Sequence, residues 1–294
     1  VRANSQSKAT HFHERGQLLP RERMNLLLDP GRPYLELSSL AGLNMHDDDG
    51  ADSAMGGGSI AGIGYVSGVR CLAVANDSAI KGGSISPMGL RKTLRAQELA
   101  LDNKLPVVSL VESGGANLEH QSEIFVDGGK IFCNMARLSA AGIPQVTVVH
   151  GSSTAGGAYL PGLSDYVVVV RNKAKIFLAG PPLLKAATGE IATDEDLGGA
   201  QMHATVAGTA EYLAEDDAHG VQIARQIISH LHWPEYQGPA DFAEPLYSGD
   251  DLVGLVPTDY RKPYDVREVM ARLVDGSDFL DFKNNYGIPI VCAH

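Results

Sequence analysis

An α/β layered fold is what the sequence predicts, and three observations carry that expectation. Short apolar runs recur through the middle of the chain, each runs into a turn of small residues, and each turn is followed by apolar residues at helical spacing. Of the 294 residues, 44% are hydrophobic and 20% charged, so a chain of this length can build a substantial core. The same balance excludes intrinsic disorder.

Taken in order, the first expected element is a helix from Arg21 to Leu28, closed by Asp29-Pro30-Gly31. Asp47-Asp48-Asp49-Gly50 reads as a solvated loop, because a calcium loop needs spaced acidic ligands and a distal Glu. Two β-rich stretches between Ile60 and Ala75 flank Ser67-Gly68, which predicts a hairpin. Leu90, Leu94 and Leu101 then recur at helical spacing, with Arg91, Lys92, Arg95 and Glu98 on other faces, as in an amphipathic helix.

Strands are expected from Pro106 to Val111, running into Ser113-Gly114-Gly115-Ala116, and from Gln145 to His150, running into Gly151 through Ala158. Further strands are expected at Tyr166 to Val170 and Lys175 to Leu178, and a helix from Asp217 to Leu231 with an acidic start. The segment from Pro234 to Pro257 is rich in Pro, Gly and Asp and reads as a connection between domains. Asp265 caps a further helix carrying Val266, Val269, Met270 and Leu273, and Ile288 to Cys292 reads as a terminal strand. A second domain therefore begins near Val256 and is cut short.

Charge and cysteine usage narrow the classes. Asp and Glu number 35 against 24 Lys and Arg, a formal charge of −11, which argues against nucleic acid or anionic lipid as the main partner. Cys71, Cys133 and Cys292 lie far apart with no Cys-x-x-Cys pair, which excludes a disulfide framework and fits a reducing compartment. No apolar run approaches the length of a membrane span, and Val1 to His13 lack the apolar centre of a signal peptide. A first residue other than Met suggests processing or trimming, and the expectation is a soluble intracellular protein.

Several motifs fail. Gly129-Lys130 is followed by Ile131 where a phosphate loop needs a hydroxyl, and the glycines from Gly56 to Gly68 miss dinucleotide spacing. His11-x-His13 and His230-x-His232 have no ligand set around them, so no metal is expected. Gly151-Ser152-Ser153-Thr154-Ala155 nearly matches a nucleophile elbow, with Ser153 as nucleophile and Asp194 and His219 or His230 as later partners; its fifth position is Ala155 instead of Gly. Stronger is the pair of strand-end turns, Ser113-Gly114-Gly115-Ala116 and Ala155-Gly156-Gly157-Ala158. Small residues there let a substrate carbonyl approach backbone N–H groups, although tight packing explains the glycines equally well.

Lys81-Gly82-Gly83-Ser84, Leu94-Arg95-Ala96-Gln97-Glu98, Ser113 to Asn117, Thr154 to Tyr159, Phe177 to Pro182, Lys185 to Glu190 and Asp196 to Ala200 stand in one order. In that order the chain resembles the carboxyltransferase (β) subunits of biotin-dependent acyl-CoA carboxylases, most of all the methylcrotonyl- and geranyl-CoA type. The resemblance runs from about Arg21 to the end of the chain.

What it implies is a crotonase-like (ClpP/crotonase) fold, a layered ββα superhelix. Residues 1–255 would form the carboxyltransferase N-terminal domain and 256–294 the beginning of a truncated C-terminal domain. It implies CO2 transfer from carboxybiotin to the carbanion of an acyl-CoA, with no protein side chain as base. Biotin would arrive on a biotin carboxylase or biotin carboxyl carrier partner, since no Ala-Met-Lys-Met motif is present. Gly156 and Gly157 match the family's oxyanion turn, and Gly115 and Ala116 the facing turn that shapes the thioester pocket, with Gly114, Ala158, Gly82 and Gly83 beside the substrate.

Arg91, Lys92 and Arg95 are candidates for the CoA phosphates, against the simpler reading of a solvated helix face. Glu112 and Glu119 would be acid/base candidates only in a hydratase, which the resemblance does not support. A homo-oligomer, a hexamer in this family, and a cytoplasmic address, or the mitochondrial matrix in a eukaryote, also follow from the resemblance. This length of chain is expected to hold half a site and to lack turnover alone. Two other readings stand beside it: a serine hydrolase using Ser153, and a non-catalytic assembly domain.

Overall fold

A computed structural model describes residues 8–45, 56–233 and 243–294; the expected acidic loop at Asp47 to Gly50 and the first part of the expected connection after Pro234 lie outside them. Helix α1, Pro20–Leu27, starts with Pro at its first position and with the Glu22 carboxylate accepting the Leu19 N–H at 2.8 Å. It stops where expected. Asp29, just beyond it, accepts the N–H groups of Ser67 and Gly68 at 2.9 and 2.7 Å, so the helix end clamps the hairpin turn.

That hairpin is β2, Ser59–Val66, paired antiparallel with β3, Val69–Asn76. Ser67 and Gly68 both have positive φ, 48° and 82°, the conformation a two-residue turn needs to follow the twist of the strands. A short strand β1, Leu35–Glu36, pairs with β2 at the edge. Helix α2, Pro87–Asp102, follows, capped by Ser86, whose hydroxyl accepts the Gly89 N–H at 3.1 Å.

Strands β4, Val107–Ser113, β5, Gln145–Thr154, β6, Tyr166–Val170, and β8, Tyr212–Ala214, continue the sheet in parallel, and β7, Lys175–Phe177, pairs with the far end of β5. One face of the sheet packs Val108, Leu110, Val146 and Val148 against α1 and helix α4, Asp217–His230. The other face packs Leu72 and Val107 against α2 and helix α3, Gln121–Ala140. Both faces are therefore covered, as an all-parallel centre requires.

The structure differs from the sequence reading at β5, which runs on through Gly151 to Thr154 instead of turning after His150. Register explains it: Val111 pairs with Val149, but Ser113 pairs with Ser153, so β5 carries two extra residues opposite Glu112. A bulge of this kind bends the strand and re-aims its end.

Beyond residue 243, Asp265 accepts the Arg267 N–H at 3.0 Å at the start of the short helix Arg267–Met270. The terminal strand is shorter and later than expected: β10, Cys292–Ala293, pairs with β9, Asp281–Phe282. Phe282 packs edge-on against Tyr166 and Tyr212, so this segment docks on the β6–β8 side of the sheet.

Candidate active site

The sheet ends in two turns that meet. Gly114 to Ala116 follow β4, and the 3-10 turn Ala155–Ala158 follows β5. Gly115 has φ 86°, and a Cβ there would lie 3.2 Å from the Thr154 carbonyl oxygen and 3.3 Å from the Ala155 Cβ. The first turn is thus packed on the second, and only glycine fits between them.

Not every amide in these turns is available to a ligand. Gly114 donates its N–H to the Gly82 carbonyl at 3.1 Å, and Gly115 donates to Ser113 Oγ at 3.2 Å. Gly82 and Gly83 sit behind the first turn: Ser113 Oγ donates to the Gly83 carbonyl, and a Cβ on Gly83 would strike the Glu112 carbonyl oxygen at 2.2 Å. Two amides remain. Ala116 N–H has no hydrogen-bond partner among the described residues, and Gly156, second in its 3-10 turn, lies where such a turn leaves N–H groups unpaired.

Ala116 and Gly156, with Gly114 and Ala155, line one cavity of about 400 Å³ between the sheet and helices α2 and α3. Its wall is mainly apolar, with Val74, Leu90, Val111, Ile124, Phe132 and Met135 among the residues that form it. Gly128 and Gly129, inside the 20-residue helix α3, also line it. Glycine inside a helix costs about 0.5–1 kcal/mol against alanine, and here the missing side chains widen the cavity.

The remaining candidates lie elsewhere. Gly157 and Ala158 are buried in the second turn, Gly157 against Ser113 and with its carbonyl accepting Ser153 Oγ at 2.9 Å. Arg91 and Arg95 are exposed on α2, outside the cavity wall, and Arg95 pairs with Glu98 at 3.0 Å. Lys92 corrects the expected polar face: it is buried, and its ammonium donates to the Gly56 and Ser59 carbonyls at 2.9 and 2.7 Å. Burial lowers its pKa to about 8, partly countered by Glu36.

The nucleophile-elbow reading fails on geometry. Ser153 is fully buried within β5, Asp194 is bonded to Lys175, His219 Nδ1 accepts the Glu215 N–H at 3.1 Å, and His230 Nδ1 bonds the Gln226 carbonyl. None of these groups reaches the Ser153 hydroxyl, which is already committed to Gly157. The chain is expected to stay unlabelled by a fluorophosphonate probe, and Ser153→Ala to cost about 1 kcal/mol of stability from the lost hydrogen bond. Labelling that vanishes in Ser153→Ala would reverse this conclusion.

Glu112 faces away from the cavity and belongs to a buried network that no local pattern announced. Arg23, 1% exposed, donates through Nε to Asp217 at 3.0 Å and through Nη1 to Glu112 at 2.9 Å. His150 Nδ1 lies 3.2 Å from Asp217 Oδ1, close but not aligned as a hydrogen bond. Burial, reinforced by Arg23, lowers the His150 pKa to about 4 against the pull of Asp217. Burial raises Asp217, but His150, Arg23 and the Leu18 N–H outweigh it and hold it at about 2. Among the described residues no three His, Cys, Asp or Glu side chains gather as a metal site, and no helix is long and apolar enough to cross a membrane.

Two glycine-braced turns at the ends of a parallel sheet open on an apolar cavity, within an α/β architecture of the crotonase-like class. The carboxyl transferase domain family matches residues 11–294, and the chain belongs to that family. A solved structure of the geranyl-CoA carboxylase β subunit of P. aeruginosa is 62% identical, with a TM-score of 0.74 over 99% of this chain and 54% of that one. The transcarboxylase 12S structure, a hexamer solved with hydrolysed methylmalonyl-coenzyme A bound, is 29% identical with a TM-score of 0.88 over 99% of this chain and 57% of that one. A probable biotin-dependent acyl-coenzyme A carboxylase β2 subunit of Mycobacterium tuberculosis is 52% identical across 95% of this chain and 52% of its own length. The chain thus spans about half the length of these relatives.

Proposed function

We propose that the chain is the first half of the carboxyltransferase site of a biotin-dependent acyl-CoA carboxylase acting on hydrophobic, branched acyl-CoA. The observation that carries this is the placing of two uncommitted amides, Ala116 and Gly156, on the wall of one apolar cavity. In this reading the acyl chain fills the cavity, and the thioester oxygen rests at the strand ends, where the amides take up the charge that forms as the α-carbon loses its proton. When bound, carboxybiotin supplies the CO2 and the base. This chain's residues bind the acyl chain, orient the thioester and hold the amides in place through Ser113 and Ser153. The motif order and the named relatives support the biotin-bearing partner subunit, the CoA substrate and the hexamer.

We also place the boundary of a second domain near Val256, with 256–294 as its beginning. The cytoplasm, or the mitochondrial matrix in a eukaryote, suits the three unpaired cysteines.

Calorimetry of this chain with a panel of acyl-CoA thioesters tests the cavity, and bicarbonate fixation by the complete subunit with its biotin-bearing partner tests the reaction. Gly128→Leu is expected to fold at least as stably as the parent, since glycine is worth about 1 kcal/mol less than leucine inside a helix. It is expected to weaken long branched thioesters about tenfold or more while sparing short ones. Unchanged preference across the panel would remove the cavity from the proposal.

A further inference from the structure

The far end of the cavity carries two polar side chains within its apolar lining. Val107 and Gln145 are paired across β4 and β5 at the opposite end of these strands from Ser113, and both line the cavity. The cavity therefore extends along β4 for about 20 Å, six residue steps at about 3.3 Å each. Two amide side chains stand near its floor, Gln145 from β5 and Gln97 from α2, 3% and 8% exposed.

Their orientation is set from behind. Gln145 Nε2 donates to the Met135 carbonyl at 3.0 Å and to Ser139 Oγ at 3.2 Å, while its Oε1 accepts nothing among the described residues. Only the NH2 end can face the Met135 carbonyl, so the free group is the acceptor. Gln97 Nε2 donates to the Ile131 carbonyl at 3.2 Å and its Oε1 accepts from Asn134 at 3.3 Å, leaving one N–H. Ile131 and Met135 are one turn apart on α3, about 6 Å along the axis, so the two amides are anchored to successive turns of one helix. A free acceptor and a free donor on the lining of one cavity, anchored a helical turn apart, match one chemical group well: a hydroxyl, which gives one hydrogen and takes another.

We infer that the floor formed by Gln145 and Gln97 is a polar subsite for the far end of the acyl chain, selecting thioesters whose terminal carbon bears a hydroxyl over those ending in hydrocarbon. The inference rests on the reading of the cavity as the acyl site. An apolar tail that reached the floor would displace water from Gln145 Oε1 and leave it unpaired, so the subsite both rewards the hydroxyl and penalises the methyl.

The test is calorimetry of the whole chain with matched pairs of branched enoyl-CoA thioesters, one ending in CH3 and one in CH2OH, over rising chain length. The hydroxyl member is expected to bind about five- to tenfold more tightly at the length that reaches the floor, with no gain at shorter lengths. Gln145→Met is expected to abolish that gain and favour the methyl member. Equal affinity within every pair, the result expected if bound water alone serves Gln145, overturns the subsite, as does a gain that survives in folded Gln145→Met. The parental comparison decides the matter even if that variant fails to fold. Failure of every thioester to bind is a separate result, which rejects the acyl site itself.

Discussion

Gly156→Pro, introduced into the complete subunit and assayed with its biotin-bearing partner, is expected to lower kcat about 10²- to 10³-fold with little change in KM. Gly156 lies in the 3-10 turn Ala155–Ala158, whose φ range proline shares, and a Cβ there would meet nothing within 4 Å. The substitution removes one N–H without striking a neighbouring side chain, and its cost is the constraint that proline places on Ala155, which has φ 50°. An oxyanion donor is typically worth about 2.7–4 kcal/mol of transition-state stabilisation, and because charge on the thioester oxygen develops after binding, the loss falls on kcat. Gly156→Ala keeps the N–H and serves as the control; its activity is expected to stay well above that of the proline variant. Circular dichroism is the check that both variants fold. If proline and alanine behave alike, with near-parental turnover, Gly156 is not an oxyanion donor.

The turns themselves were legible because their physics is local. A strand that ends in consecutive small residues announces a close backbone approach, and a Cβ added at Gly115 or Gly83 would lie 3.2 or 2.2 Å from a carbonyl oxygen. What local pattern does not reveal is which amides stay free. That depends on Gly82 and Ser113 being in place behind the turn, contacts made between elements that sequence spacing does not relate.

Lys92 illustrates the same limit on a helix. Helical periodicity assigned it to a polar face beside Arg91, yet its stem is buried and its ammonium is held by carbonyls 33 and 36 residues away. Ser153 nearly matches an elbow because an elbow and a bulged strand share small residues, and only the pairing of Ser113 with Ser153 distinguishes them. The fold class and the order of elements come from periodicity. The polar groups buried between elements come from tertiary contact alone, as with Arg23 and Asp217, 194 residues apart.

Arg23→Met is expected to destabilise the chain by about 3–5 kcal/mol at neutral pH, because it strips the cation from two carboxylates that remain buried. Arg23 bridges α1 to Glu112 on β4 and to Asp217 at the start of α4, so its loss loosens the layer that backs the strand ends. The same network sets an acid limit. Between about pH 6.5 and 4 the unfolded chain binds a proton at His150 that the folded chain refuses, so stability falls as pH falls through that window. At about 1.4 kcal/mol per unit, the loss is about 3 kcal/mol. Asp217 acts in the same direction at lower pH: its contribution is complete above about 3.8 and disappears toward about 2. Urea unfolding at pH 7, 5.5, 4 and 3 measures both effects. His150→Gln, which cannot take up a proton, is expected to flatten the pH 6.5 to 4 slope while leaving the loss below pH 4. A slope as steep in His150→Gln as in the parent would assign the acid sensitivity to other groups and leave this network a purely structural tie.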